Sequence, residues 1–126
     1  MYNLKILLCD DSLLVRKKLK GALIEQGFTN LYEASDGEEA VAFCQNEQPD
    51  LVLLDIVMPK KDGIEALQEI KQINPSTYVV IASSVGTQSN LFKAIKLGAN
   101  DFLQKPITIE SVINIAQKIV TERGES

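Results

Sequence analysis

Three carboxylates, a hydroxyl and an ammonium group stand out along this chain: Asp10 and Asp11, Asp55, Ser83 and Lys105. Taken singly, each is ordinary. Asp10-Asp11 would serve as helix N-terminal charge, Asp55 as a solvated loop carboxylate, Ser83 as a turn residue and Lys105 as surface charge. Brought together they make a different chemistry. Clustered carboxylates repel and raise one another's pKa unless a cation neutralises them. A donor set of oxygens alone favours a hard metal, and Mg²⁺ fits because it takes a couple of carboxylates, keeps waters and accepts a phosphoryl oxygen. A carboxylate beside such an ion, with a lysine and a hydroxyl at hand, is a phosphoryl-acceptor site. The ion and the lysine offset charge on the transferring group, and the aspartate attacks in line.

Those side chains meet only if the elements before them end at one place. Leu51-Val-Leu-Leu-Asp55 is a continuous apolar run that stops at a carboxylate, opened by Pro49-Asp50 and closed by Met58-Pro59. It reads as a strand buried on both faces. Leu4–Cys9 and Tyr78–Ala82 read the same way and end at Asp10-Asp11 and Ser83-Ser84. Leu31–Ala34 and Asp101–Gln104 are shorter, more polar strands, the second ending at Lys105-Pro106.

Between the strands lie amphipathic helices. Leu13–Gln26 carries Leu14, Val15, Leu19, Ala22 and Leu23, with Gly27 as its stop. Asp36-Gly37-Glu38-Glu39 and Asp62-Gly63-Ile64-Glu65 are capping patterns. They open helices with Ala40, Val41, Phe43 and Cys44 inward in the first, and Ile64, Leu67, Ile70 and Ile73 on one face of the second. Gln88–Leu97, with Leu91, Ala94 and Ile95 at helical spacing, and a final helix capped by Thr108 complete the set. Strict alternation implies parallel βαβ units with right-handed crossovers. The most apolar strands belong in the centre. The expected fold is α/β, a doubly wound five-stranded parallel sheet of order 2-1-3-4-5, flavodoxin-like. All strand carboxyl ends then share one edge, where ligands bind in such sheets.

Composition narrows the function. The chain of 126 residues fits one domain, and its net charge of −4 argues against direct nucleic-acid binding. No apolar run approaches the roughly 18–20 residues of a membrane span, so membrane insertion is not expected, nor is a secretory signal seen. Cys9 and Cys44 lie far apart without CxxC spacing and there is no histidine. A structural zinc site is not expected, and two reduced cysteines suit a cytoplasmic protein. No nucleotide-binding GxxxxGK[ST] or GxGxxG is present.

The chain resembles the receiver domain of two-component response regulators, especially the stand-alone chemotaxis type, from about Lys5 to Val120. The motifs are Cys9-Asp10-Asp11-Ser12, Leu54-Asp55-Ile56-Val57-Met58-Pro59, Asp62-Gly63, Ile81-Ala82-Ser83-Ser84, Gly98-Ala99-Asn100-Asp101-Phe102 and Leu103-Gln104-Lys105-Pro106. The resemblance implies that Asp55 accepts a phosphoryl group from a histidine kinase. It implies that Asp10, Asp11 and Asp55 hold Mg²⁺ with the backbone carbonyl of Val57, Asp11 directly. Lys105 would pair with the phosphoryl group, and the Lys105-Pro106 bond would be cis. Ser83 and Phe102 would form a switch that alters a partner face on the fourth helix, fifth strand and fifth helix.

Two positions depart from the fast chemotaxis pattern. Val57 and Val85, two residues after Asp55 and Ser83, replace the polar side chains that fast members place there. A valine cannot orient the water that hydrolyses an acyl phosphate, so slow self-dephosphorylation and a separate phosphatase partner are expected. Residues 1–126 are expected to be a single receiver domain. One alternative is a receiver cut from a longer DNA-binding regulator, with Thr121–Ser126 opening a linker. The other is a Mg²⁺-dependent phosphatase with an aspartate nucleophile, although such enzymes carry a second aspartate where Val57 stands.

Overall fold

Leu51–Asp55 runs through the middle of a five-stranded parallel sheet of order β2-β1-β3-β4-β5, as the apolar content of the strands predicts. The computed structural model describes residues 2–84 and 89–124. The elements are β1 (Ile6–Cys9), α1 (Leu13–Glu25), β2 (Leu31–Ala34), α2 (Gly37–Glu47), β3 (Leu51–Asp55), α3 (Gly63–Ile73), β4 (Tyr78–Ser83), α4 (Ser89–Lys96), β5 (Asp101–Gln104) and α5 (Ile109–Glu122). No helix among the described residues is long and apolar enough to cross a membrane.

Side chains alternate across the sheet, so each central strand supplies two cores. Leu7, Val52, Leu54, Val79 and Ile81 pack with residues of α2, α3 and α4. Ile6, Leu8, Leu51, Leu53 and Val80 pack with residues of α1 and α5. The register aligns the strand ends: Cys9 pairs with Leu54, Asp55 with Ala82, and Ser83 with Gln104. Asp10 therefore lies level with Asp55, and Lys105 follows two residues beyond that level on β5.

Four helices start on side-chain caps. Ser12, Asp36, Asp62 and Thr108 accept hydrogen bonds from the N–H groups of Val15, Glu39, Glu65 and Ser111, each satisfying an otherwise orphaned donor. At α2 the Glu39 carboxylate accepts from the N–H and hydroxyl of Ser35, one residue before the cap, rather than from the cap residue itself.

Several local expectations need correction. Strand pairing in β1 begins at Ile6, because the Lys5 N–H donates to the Asp50 carboxylate. Leu14 is 77% exposed instead of inward. It lies five residues before Leu19, about 140° round the helix from the stripe that packs. Ile95 is also exposed, one residue past the buried Ala94 and about 100° away from it. The expected start of the fourth helix at Gln88 lies outside the described residues, as does Val85.

Candidate functional site

Asp10 directly follows β1 and Asp55 closes β3, so both carboxylates stand where the sheet releases the chain into loops. Asp55 is the last residue of β3 and only 3% exposed. Continuing the strand alternation, Asp10, Asp55 and Lys105 turn toward the α1 and α5 side. There the Lys105 Nζ donates to Asp55 Oδ2 at 2.6 Å and lies 3.8 Å from Asp10 Oδ2. The other Asp55 oxygen, Oδ1, accepts from the Val57 N–H at 3.2 Å. Oδ1 of the buried Asp10 accepts from the Ser12 N–H at 2.8 Å. Asp11 is exposed.

The loop after β3 is held by close packing. A Cβ on Gly63 would lie 2.3 Å from the Asp55 carbonyl oxygen and 2.6 Å from Ile56 Cα. The first turn of α3 therefore rests directly on the end of β3, and the Gly63 N–H donates to the Ile56 carbonyl at 2.8 Å. A Cβ on Gly37 would fall 2.0 Å from the Lys61 carbonyl oxygen, which fixes the far end of the same loop against α2.

The electrostatics follow from this crowding. Burial pushes the Asp55 pKa up, and the Lys105 ammonium beside it does not fully compensate. For Lys105, burial is the largest influence and would lower the pKa. The hydrogen bond to Asp55 and the charges of Asp55, Asp10 and Asp11 together outweigh it and raise the value. Burial prevails at Asp55, while at Lys105 the surrounding carboxylates prevail over burial.

One oxygen from each of Asp10, Asp11 and Asp55 can be chosen so that all lie within 4.8 Å of one another. This fits Mg²⁺. The donors are hard oxygens, three carboxylates converge on a single lysine, and the exposed Asp11 leaves room for an ion that keeps its waters. A cavity of about 310 Å³ opens beside the cluster, lined by Asp10, Asp11, Lys18, Lys105 and Ile107 among others.

The structure thus gathers Asp10, Asp11, Asp55 and Lys105. Ser83 is buried at the end of β4, and its carbonyl accepts from the Lys105 N–H at 2.7 Å, which ties β4 to the Lys105 loop. The Lys105-Pro106 bond is cis. The Val57 side chain is exposed. Phe102 stands apart from the acidic cluster, 47% exposed, at the rim of a second cavity of about 250 Å³ lined also by Ile81, Leu91, Ala94 and Ala99.

Two contributors escaped sequence reasoning. Ser12 both caps α1 and holds the Asp10 carboxylate through its N–H. Arg16 donates through Nη1 to the Asp10 carbonyl at 2.6 Å. A serine two residues after Asp10 was a readable cap signal. The reach of Arg16 was readable only as a residue one helical turn beyond that cap.

Comparison with known proteins agrees with this geometry. Residues 6–117 match the family described as the response regulator receiver domain. The chain is 40% identical over 114 residues to the chemotaxis protein CheY of Bacillus subtilis (strain 168), covering 90% of this chain and 95% of that protein. It is 36% identical to the chemotaxis protein CheY of Thermotoga maritima, covering 91% and 96%. The solved receiver domain of the Francisella response regulator 1452 superposes with a TM-score of 0.86 at 29% identity, covering 96% of this chain and 99% of that one.

Proposed function

The chain belongs to the response regulator receiver family, and from that premise we propose that Asp55 accepts a phosphoryl group from a histidine kinase and so switches partner binding in a chemotaxis-type pathway. The observation that carries this reading is the buried Asp55 carboxylate, hydrogen-bonded to Lys105 at 2.6 Å and clustered with Asp10 and Asp11. Asp10, Asp11 and Asp55, with the Val57 carbonyl, would hold Mg²⁺, which when bound supplies charge neutralisation for the carboxylates and for the transferring group.

The chain's own residues do the rest. An Asp55 oxygen forms a bond to phosphorus as the phosphorus–nitrogen bond of the donor's phosphohistidine breaks, and the imidazole leaves with the electron pair. The Val57 N–H and the Lys105 ammonium hold the carboxylate in place, and Lys105 is positioned to follow the phosphoryl oxygens. Tight walls around β3 keep the nucleophile from swinging. The Ser83 hydroxyl then donates to a phosphoryl oxygen. Ser83 and Phe102 lie toward the same side of the sheet, so movement at Ser83 frees space into which the Phe102 ring can turn. That would change the face of α4, β5 and α5, where Phe92, Ile95 and Phe102 are exposed, and a downstream protein would read it. Residues 1–126 act as one receiver domain in this reading, supported by relatives that the chain covers almost end to end.

Labelling tests the proposal. Wild-type protein incubated with acetyl phosphate or a phosphohistidine donor and Mg²⁺ should take up one phosphoryl group, and Asp55→Asn none. Full labelling of the variant would remove Asp55 from the role.

A further inference from the structure

We propose that Arg16 is a positioning residue for cation binding: anchored on Glu33, its guanidinium fixes the Asp10–Asp11 peptide so that the two carboxylates can share one ion. This rests on the Mg²⁺ reading above.

Three elements meet at Asp10. The Asp10 N–H donates to the Ala34 carbonyl of β2 at 3.1 Å. The Asp10 carbonyl accepts from Arg16 Nη1 of α1 at 2.6 Å, and Arg16 Nε donates to Glu33 Oε1 of β2 at 3.0 Å. The carbonyl of Asp10 and the N–H of Asp11 share one planar unit. Holding that carbonyl therefore sets the plane from which Asp11 departs. Among the described residues no hydrogen bond or ion pair holds the Asp11 carboxylate, so its direction depends on the backbone beneath it.

The anchor is well built. Glu33 Oε2 takes Lys17 at 2.8 Å and Lys20 at 3.3 Å, leaving Oε1 to Arg16. These cations hold the Glu33 carboxyl down to about 2. The Arg16 side chain is 12% exposed while that of Lys17 is 59% exposed, which separates a placed group from a surface one. Two acceptors in fixed directions suit the rigid fork of arginine and not the single ammonium of lysine.

Charge and position predict opposite signs. A positive side chain beside a cation site opposes the ion, so Arg16→Gln should tighten Mg²⁺ binding if charge alone mattered. A positioning role predicts weaker binding. Arg16→Lys keeps the charge and loses the fork. The experiment is a Mg²⁺ titration of metal-free protein followed by amide NMR shifts, with the sheet resonances reporting the fold. Arg16→Lys and Arg16→Gln should weaken binding about tenfold. Glu33→Gln should weaken it less, and Lys17→Gln, which also strips a cation from Glu33, should leave it unchanged. Wild-type affinity in Arg16→Lys, or tighter binding in Arg16→Gln, would overturn the proposal. If Arg16→Lys lost its native sheet resonances, Glu33→Gln would decide, with unchanged affinity counting against it. An Asp11→Ala arm separates the two readings: if it binds Mg²⁺ as the wild type does, the cation site itself is misplaced and this inference falls with it.

Discussion

Burial of the Asp55 carboxylate works against stability. Its pKa is raised mainly by burial, so the native state holds that proton more firmly than the unfolded chain does. Stability then falls as pH rises from the ordinary carboxylate range through the raised value. Asp55→Asn removes the penalty. In chelator at neutral pH the variant should melt a few degrees above the wild type, and the gap should close as the pH drops below the ordinary carboxylate range. Melting curves across that range decide it; a variant that melts lower at neutral pH would mean that the lost Lys105 pair outweighs burial. Val57 raises a different expectation. Its side chain is exposed, two residues after Asp55, and offers a water nothing to bond to. Val85, its expected counterpart, lies outside the described residues. Phosphorylated protein should decay slowly after the donor is removed, and the Val57→Asn, Val85→Glu double variant should decay roughly tenfold faster, equivalent to about 1.4 kcal/mol of barrier. Identical decay rates would mean that these side chains do not guard the water path.

The strands and helices that carry these residues were largely legible because each announces itself twice, by an apolar period and by a cap. β3, the Asp62 cap of α3 and the Thr108 cap of α5 stand where Leu51–Asp55, Asp62 and Thr108 predicted them. What could not be read was which apolar residues on a helix face inward when several compete. Leu14 and Ile95 belong to the expected apolar sets, yet both are exposed. The tightness of the loops was equally hidden, since a glycine at a helix start reads the same whether its missing Cβ matters or not. At Gly63 it matters. A methyl group there would collide with the backbone of Asp55 and Ile56. Gly63→Ala should destabilise the fold by about 2–4 kcal/mol, a size typical of backbone displacement in a packed region. It should also slow phosphotransfer in the fraction that remains folded. Urea denaturation with a parallel labelling assay checks both. Gly21, where a Cβ would meet nothing within 4 Å, supplies the control, and Gly21→Ala should cost no stability.

On the scale of the whole molecule, the parallel order of the strands is what converts separate loop residues into a site. Order, alternation and the common edge were deducible from strand hydrophobicity, and so was the meeting of Asp10, Asp11, Asp55 and Lys105. The contacts that tie the acidic end to β2 through Arg16 and Glu33 were not, because they depend on side chains that become neighbours only after β1 and β2 pair. The same sheet joins Asp55 to the exposed face around Phe102 through β4. Beryllofluoride, which mimics the phosphoryl group, should therefore shift amide resonances in the acidic pocket and also around Phe102, α4 and α5. Shifts confined to the pocket would mean that the partner face does not respond. The most direct test of the central claim is the position of the phosphoryl group itself. Protein phosphorylated by a phosphohistidine donor, reduced with borohydride and mapped by peptide mass spectrometry, should carry homoserine at position 55 and in Mg²⁺-dependent amount. Homoserine at position 10 or 11 with aspartate retained at 55 would contradict the assignment of Asp55 as the acceptor.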